Sequence, residues 1–585
     1  MNTWHYIWGI MRYLPGLLAV NCLAVLLSFL SNQVPGLMTR EFFNLITEEA
    51  PARFGFWTIL ALVLASGLGR ATASLGLVLS NVPYRYTAAP LLQKNMLRQI
   101  LRRPGAAALP ESSGQAVSRF RGDTHTLCSY PLGLNDLVGG LVNGAIAVAV
   151  MLSINAYITL FALGPVFLVV FLVYAVRNRI ERYRRASREA TGQVTGFIAE
   201  IFGAVQSIKV AAAERNVIGH FRHMNRRRSE TALRDHLFDR LLVSVFYNAV
   251  NLSTGAILLV AGQAMREGHF TVGDFALFVF YLPALAEMTW MMGSRLARYK
   301  QTGVSVERMN KLMEGAPAGS LVEHGPVHLH GDEPPIDKPA RHPQDLLETL
   351  AVQDLTHIYP SSGRGIEAVD LRLERGSFTV ITGRIGSGKT TLLRALLGLL
   401  PIDRGSIHWN GEAVHDPATF FVPPRAAYTP QVPWLFSGPL RDNLLMGLPL
   451  TDDELDGALN AAVLEDDLKN LQDGLNTVVG PKGVRLSGGQ MQRVATARMF
   501  VRNPELMVFD DLSSALDVET EQVLWQRLFA RRDTTCLVVT HRRAALRRAD
   551  RIIVFQEGKV EDSGSLDELL ERSPEMRRLW RGEVE

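Results

Sequence analysis

Two adjacent carboxylates follow a short apolar run in the stretch LMVFDDLSSALD, residues 506–517. Residues 505–509, ELMVF, have the length and composition of a buried β-strand, which would deliver Asp510 and Asp511 to the turn that follows. We expect Asp510 to act on magnesium, directly or through its water. We expect Asp511 to be the general base, because such a base must lie within hydrogen-bonding reach of the attacking water.

A glycine-rich loop supplies a phosphate site that such an acid pair would serve. The segment FTVITGRIGSGKTTLLRALLGLL begins as an apolar strand and continues as an apolar helix, with G-x-x-x-x-G-K-T from Gly383 to Thr390 between them. Backbone N–H groups of such a loop surround phosphate oxygens. Lys389 is expected to reach the outer phosphates and Thr390 to help hold magnesium. The predicted nucleotide-binding residues here are Gly383, Arg384, Ile385, Gly386, Ser387, Gly388, Lys389, Thr390 and Thr391.

The glycines of this loop have a predicted steric role. A side chain at Gly386 or Gly388 would occupy the place of the phosphate. The strand, the loop and the helix occur together, so the sequence predicts nucleotide binding.

The first half of the chain contains apolar segments long enough to cross a bilayer, which takes about 20 residues. The predicted spans are 14–37, 56–80, 132–154, 157–176, 241–264 and 274–296. Long polar connections rich in arginine, residues 81–131 and 177–240, alternate with short ones. Basic residues beside spans favour the cytoplasm, so both long loops and both termini are predicted to face it. The first apolar segment is too long for a cleavable signal peptide.

These patterns predict an all-α six-helix transmembrane domain followed by an α/β P-loop nucleotide-binding domain. Residues 1–314 form the first, residues 315–348 are a linker rich in proline, glycine and mixed charge, and residues 349–585 form the second. The charge is nearly balanced, with 61 Lys and Arg against 57 Asp and Glu, so no global field favours nucleic acid as a partner. The three cysteines lie far apart and predict neither disulfides nor a metal site.

The segment LSGGQ, residues 486–490, stands just upstream of the strand that ends at Asp510, and it resembles the signature of ATP-binding cassette transporters. The resemblance covers nearly the whole chain, and six helices with two long cytoplasmic loops ahead of the cassette resemble the exporter branch. It implies that Tyr359 stacks on adenine and that Gln431 senses magnesium and the membrane domain. It also implies that His541 contacts the terminal phosphate. Asp511, His541 and Gln431 are thus the predicted catalytic residues, with ATP and Mg²⁺ as cofactors and Thr390, Gln431 and Asp510 around the metal.

The family resemblance implies a dimer, because the signature of one cassette lies on the ATP held by the other. The predicted signature residues are Leu486, Ser487, Gly488, Gly489 and Gln490, and the loop that crosses the dimer interface comprises Ser514, Ala515, Leu516 and Asp517. The family normally has glutamate at the position of Asp511. A shorter base predicts slow hydrolysis, as in one half of an asymmetric heterodimer. A homodimer with a shifted backbone is the open alternative.

Ionisable and polar residues within the spans are candidates for a substrate cavity, because they are costly in a membrane. They are Arg70, Asn248, Asn251 and Glu287, and each could instead pair with a neighbouring helix. Tyr281, Met288, Trp290, Met291 and Met292 could line the same cavity or pack between helices.

The predicted function is ATP-driven export of a hydrophobic, amphipathic or peptide-like substrate across the cytoplasmic membrane. An importer on the same architecture and an ATP-gated channel or regulatory subunit are the alternatives, whereas the spans argue against a soluble cassette acting on nucleic acid.

Overall fold

The structure is a computed structural model of the 585-residue chain. It describes residues 2–48, 51–105, 113–329, 331, 340–360, 362–481, 483–484, 486–512, 516–530 and 534–583. The chain divides into two compact units, one of residues 1–96 and 113–327 and one of residues 97–112 and 328–585. Residues 315–327 of the predicted linker are therefore part of the first unit, where Leu321 and Val322 are buried.

The first unit is helical. Its helices are α1 Thr3–Tyr13, α2 Pro15–Ser31, α3 Val34–Thr47, α4 Phe56–Arg102, α5 Ser113–Ser118, α6 Thr124–Ile154, α7 Ala156–Gly203, α8 Val205–Val210, α9 Glu214–Arg266 and α10 Val272–Leu312. A π-helical turn spans Arg119–Asp123 and a 3-10 turn spans Ser320–Val322. The end of α4, from residue 97, belongs to the second unit.

Each predicted span lies in helix, the first of them divided between α2 and α3. Among the described residues, four helical stretches are long and apolar enough to cross a membrane: Pro15–Thr47, Phe56–Arg102, Gly114–Ile154 and Val272–Leu312. The predicted spans 157–176 and 241–264 lie within α7 and α9, which continue well beyond them as polar helix. The chain is thus a multi-pass membrane protein with long helical extensions.

Side-chain caps start α7 and α10, each of which follows a short connection. The Asn155 side chain accepts from the N–H of Ile158 at 3.0 Å, which begins α7 directly after α6. Thr271 and Asp274 form a reciprocal capping box at the start of α10, with both bonds at 3.0 Å. Such caps satisfy N–H groups that a helix leaves unpaired at its start.

The second unit contains two main sheets. The larger has the order β12-β11-β3-β10-β9-β6, with bounds β3 Phe378–Thr382, β6 Ala426–Thr429, β9 Leu506–Asp510, β10 Thr535–Val539, β11 Arg551–Gln556 and β12 Lys559–Gly564. Its strands are parallel except β12, which is antiparallel to β11. The smaller sheet is antiparallel, in the order β2-β1-β4-β5, with bounds β1 Thr349–Ile358, β2 Gly365–Glu374, β4 Arg404–Trp409 and β5 Glu412–Ala413. A short pair joins β7 Gly438–Pro439 and β8 Val478–Val479.

The second unit also contains short helices. They are α11 Lys389–Leu396, α12 Pro417–Phe420, α13 Leu440–Leu445, α14 Asp452–Ala461, α15 Glu465–Asn470, α16 Gly488–Phe500, α17 Val518–Phe529, α18 Arg543–Arg548, α19 Leu566–Arg572 and α20 Pro574–Arg581. Strands β3 and β9 are buried at every position, as expected for parallel strands with both faces covered. In open α/β sheets of this kind, ligands bind outside the carboxyl ends of the strands. The candidate site lies there.

Candidate functional site

The phosphate loop connects β3 to α11, as predicted from the sequence, and its backbone needs glycine. Gly383, Gly386 and Gly388 have φ angles of +148°, +80° and +107°, which side chains rarely adopt. A Cβ on Gly383 would also lie 2.1 Å from the backbone oxygen of Phe555. A Cβ on Gly386 would meet nothing within 4 Å. The protein therefore leaves open space beside Gly386, which stays the predicted place for a phosphate. A Cβ on Gly388 would instead lie 3.2 Å from both Ile366 Cγ2 and Phe555 Cε1, so close packing against protein atoms favours glycine there.

Lys389 is folded back onto this loop. Its Nζ donates to the backbone oxygens of Gly383 and Arg384 at 2.7 and 2.6 Å, and it lies 3.4 Å from the hydroxyl of Ser387. Burial lowers the pKa of Lys389, and the nearby charges of Asp511 and Asp510 oppose that shift. The ammonium group is thus held at the centre of the loop by carbonyls that a phosphate could replace.

Asp510 ends β9 next to the phosphate loop, and two hydroxyl groups hold its carboxylate. Thr390 Oγ1 donates to Asp510 Oδ1 at 3.0 Å, and Tyr428 Oη donates to Asp510 Oδ2 at 3.1 Å. Only 1% of Asp510 is exposed. Burial raises its pKa, whereas the bonds from Thr390 and Tyr428 lower it. The oxygen atoms of Asp510 and Thr390 suit Mg²⁺, which prefers oxygen ligands.

Tyr428 is a residue that the sequence analysis missed. It lies on β6, which pairs in parallel with β9. Tyr428 and Asp510 are 82 positions apart in the sequence. Its only signal in the sequence is its place three residues before Gln431.

Asp511 occupies a constrained position beside Asp510. Its φ is +52°, which is uncommon outside glycine and costs backbone strain. Its N–H donates to the backbone oxygen of Val539 at 2.9 Å, continuing the β9–β10 pairing. Its Oδ2 accepts from Gln431 Nε2 at 3.4 Å. The two predicted catalytic residues therefore lie together, and the backbone that carries the shorter acid is fixed.

The signature segment begins α16. Ser487 and Gln490 form a capping box, with the Gln490 N–H donating to Ser487 Oγ at 3.2 Å and the Ser487 N–H donating to Gln490 Oε1 at 2.8 Å. Gln490 Nε2 also donates to Asp467 at 2.9 Å. Leu486 is half-buried, and Gly488 and Gly489 form the first turn of the helix. Gln492 donates its side-chain amide to the backbone oxygen of Gln431, which joins this helix to the catalytic segment.

The remaining predicted nucleotide residues lie around the same domain. Tyr359 follows β1, and its ring meets that of His357 edge-on at a centroid distance of 4.8 Å. His541 is exposed just after β10. In the predicted interface loop, Leu516 is buried and Asp517 caps α17 by accepting from the N–H of Thr520 at 2.9 Å. Ser514 and Ala515 lie outside the described residues. Thr391 is half-buried on α11, and Ile385 is almost fully exposed.

Among the described residues, no hydrogen bond or ion pair joins all the candidate cavity residues into one cluster. Arg70 Nη1 donates to Asn32 Oδ1 at 3.3 Å, at the break between α2 and α3. Asn248 donates to the backbone oxygen of Ser244 at 2.9 Å, one turn earlier on its own helix, and Asn251 is 3.5 Å from Asn248. Glu287 is exposed on α10.

The aromatic and methionine residues of α10 pack largely between helices. Tyr281 is buried and donates to the backbone oxygen of Gln33 at 3.2 Å. Cβ atoms on Gly140 and Gly144 of α6 would lie 2.2 Å from Met291 Cε and 2.0 Å from Met288 Sδ. Both methionines therefore fill notches that these glycines leave. Met292 is exposed, and the side chain of Trp290 lies outside the described ones.

An ion pair in the membrane unit was also missed by the sequence analysis. Arg295 Nη2 lies 2.9 Å from Asp136 Oδ2, joining α10 to α6. Gly133 makes room for it, since a Cβ there would lie 2.0 Å from Arg295 Nη1. Each residue falls at the edge of a predicted span, and only the packing of the two helices brings them together.

The fold and the site define an ATP-binding cassette joined to a helical membrane domain. The family model for the ABC transporter matches residues 366–514, and the model for the ABC transporter transmembrane region matches residues 18–286. The chain belongs to the ATP-binding cassette transporters, whose cassettes are ATPases coupled to transport. It has the form of an exporter-type half-transporter, with one membrane domain and one cassette fused in a single chain.

Proteins similar to this chain occur in fungi and bacteria. The chain is 24% identical over 471 residues to the ATP-dependent permease MDL1 of Candida albicans, a match covering 78% of this chain and 66% of that protein. It is 29% identical over 418 residues to YheI of Bacillus subtilis, a probable multidrug resistance ABC transporter ATP-binding/permease protein. That match covers 69% of this chain and 67% of YheI. A solved bacterial Atm1-family ABC exporter with ATP bound superposes with a TM-score of 0.75 at 21% identity, covering 98% of this chain and 99% of that one. The last similarity shows the fold.

Proposed function

We propose that this chain is one half of an ATP-driven exporter in the cytoplasmic membrane, with both termini and the cassette on the cytoplasmic side. Two such halves would form an alternating-access dimer and bind ATP between their cassettes. The observation that carries the proposal is the contact of Thr390 with Asp510 at 3.0 Å, beside the loop that holds Lys389. It joins the phosphate cradle to the acid pair within a chain that also carries the membrane domain.

Magnesium fits this arrangement, with Thr390 and Asp510 as the residues that would hold it and Gln431 close by. When bound, the ion would neutralise charge on the phosphate oxygens. Lys389 would exchange its two loop carbonyls for phosphate oxygens. Tyr359 would stack on adenine, and His541 would contact the terminal phosphate.

The site over this chain's own phosphate loop would bind ATP and hydrolyse it slowly. Asp511 is one methylene shorter than glutamate, and its backbone is tied to Val539 at 2.9 Å, which limits any compensating shift. The signature cap at Ser487 and Gln490 is complete. This combination favours a heterodimer, in which the chain offers its signature to a partner that carries the glutamate.

A hydrophobic, amphipathic or peptide-like molecule is the proposed substrate class. The multidrug description of the Bacillus relative supports it.

The test is magnesium-dependent ATP hydrolysis by the purified chain alone in lipid, with Lys389→Ala and Asp511→Asn as controls. We expect tight ATP binding that Lys389→Ala abolishes, with little steady turnover. Steady turnover that both changes abolish would instead mean a homodimer with Asp511 as a working base. For transport, inside-out vesicles holding the chain with its partner should accumulate an amphipathic dye when ATP is added, and the Lys389→Ala vesicles should not. ATP-dependent loss of dye would contradict export.

A further inference from the structure

The last helix of the cassette contacts the phosphate loop through a bidentate ion pair. Arg384, the second residue of the loop, places Nε 2.6 Å from Glu575 Oε1 and Nη2 3.0 Å from Glu575 Oε2. Two parallel bonds between a guanidinium and a carboxylate are strong and fix the orientation of both groups. Glu575 lies on α20, 191 residues further along the chain. No motif in the sequence relates the two residues.

The burial of Glu575 makes this ion pair costly to break. The side chain of Glu575 is only 5% exposed, whereas that of Arg384 is 41% exposed. Arg578 lies further away, with Nη1 at 3.9 Å from Glu575 Oε2. A buried carboxylate that loses its partner keeps its desolvation cost. The charge of Glu575 therefore holds the loop and α20 together.

The C-terminal segment supports the same loop at a second point. The N–H of Gly558, in the turn between β11 and β12, donates to the backbone oxygen of Ser387 at 2.9 Å. The backbone oxygen of Phe555 lies so close to Gly383 that a Cβ there would be 2.1 Å away. The turn and α20 thus contact different residues of one loop.

The ion pair also affects the position of Lys389, the lysine predicted to bind the phosphates. Lys389 Nζ donates to the backbone oxygen of Arg384 at 2.6 Å, so the residue held by Glu575 also supplies an acceptor for Lys389. A shift of the Arg384 backbone would change both the width of the cradle and the contacts from which Lys389 moves to a phosphate.

We propose that Glu575 is a positioning residue for ATP binding. Through Arg384 it keeps the phosphate loop in the shape that receives the phosphates, so the last helix of the chain sets the affinity of the site. The inference rests on the nucleotide site proposed above and adds to it a residue far outside every nucleotide motif.

The test is the Kd for Mg-ATP of the full chain in lipid nanodiscs, measured beside the unfolding temperature without nucleotide. Glu575→Gln keeps the size of the side chain and removes its charge. We expect Mg-ATP to bind about tenfold more weakly, as for the loss of a charge-assisted hydrogen bond. Arg384→Lys keeps the charge without the planar fork, so it should weaken binding less. Arg384→Gln and Glu575→Gln are also combined in a double variant, where the two single effects should not add because both changes remove one interaction.

Glu583→Gln is the matched control. It removes the same charge from the same end of the chain, where Glu583 forms an exposed pair with Arg581 at 3.8 Å, and its Kd should equal that of the wild type. A wild-type Kd in Glu575→Gln would overturn the inference, even if the unfolding temperature fell, because the pair would then serve stability alone. Equal weakening by Glu583→Gln would overturn it too. If Glu575→Gln does not fold, Arg384→Gln decides, because it removes the charge that pairs with Glu575, and a wild-type Kd there refutes the role. A wild-type chain that binds no Mg-ATP would refute the proposed nucleotide site itself.

Discussion

Replacing Asp511 with glutamate tests the proposal of a slow site most directly. The added methylene extends the carboxylate by about 1.5 Å, one C–C bond. A shift of the Asp511 backbone cannot readily supply that reach in the native chain. The Asp511 N–H is bonded to the backbone oxygen of Val539 at 2.9 Å, and the residue has a constrained φ of +52°. A catalytic group misplaced by about 1 Å costs on the order of 10²-fold in rate. Asp511→Glu should therefore raise the rate of the chemical step by about 10²-fold, or about 2.7 kcal/mol of activation free energy.

The assay is single-turnover hydrolysis of radiolabelled ATP by the purified chain, in a preparation that cross-linking shows to be dimeric. Lys389→Ala gives the background without ATP binding, and Asp511→Asn gives the rate without a carboxylate at the same length. The native chain should hydrolyse little faster than Asp511→Asn. A folded, ATP-binding Asp511→Glu dimer with no gain in rate would refute the argument from side-chain length. A native rate far above that of Asp511→Asn would show that aspartate already serves as the base.

Two further changes test the neighbouring geometry and the membrane packing. Tyr428→Phe removes a hydrogen bond that lowers the pKa of Asp510. The carboxyl group must be ionised to hold Mg²⁺, so the acid limb of Mg-ATP binding should shift to higher pH, and a titration with an unchanged limb would contradict this. Gly139→Ala would place a Cβ 2.4 Å from Val25 Cγ1, so overpacking should destabilise the protein by about 1–3 kcal/mol. Gly16→Ala, with nothing within 4 Å, is its control in thermal unfolding, and equal losses would refute the packing argument.

The sequence predicted the nucleotide elements well, because each is a continuous segment. The strand, glycine loop and helix around Gly383–Thr390 are one piece of chain, and the run before Asp510 forms β9 within one residue of its predicted bounds. The predicted fold class is confirmed. It was predictable because the length of an apolar segment is enough to indicate a membrane helix. Helix ends were less predictable. The polar parts of α7 and α9 contain no strong helix breaker at the membrane boundary, so both helices continue far beyond their spans.

The alternatives left open in the membrane domain depended on which helices face each other. The methionines of α10 could line a cavity or fill a packing surface, and their spacing is the same in both cases. The notches at Gly140 and Gly144 on α6 show that Met291 and Met288 fill a packing surface. The pairing of Asp136 with Arg295 likewise follows from the contact of α6 with α10.

The class of protein, the nucleotide motifs and the unusual acid at Asp511 can all be recognised in the sequence alone. Those features are local, since the chemistry of a phosphate loop or a signature cap depends on residues a few positions apart. The tertiary structure decided that Tyr428 holds Asp510 and that Glu575 holds Arg384, across 82 and 191 positions. Local spacing carries no record of such contacts, because the pairing of β6 with β9 and the packing of α20 on the phosphate loop create them only when the chain folds.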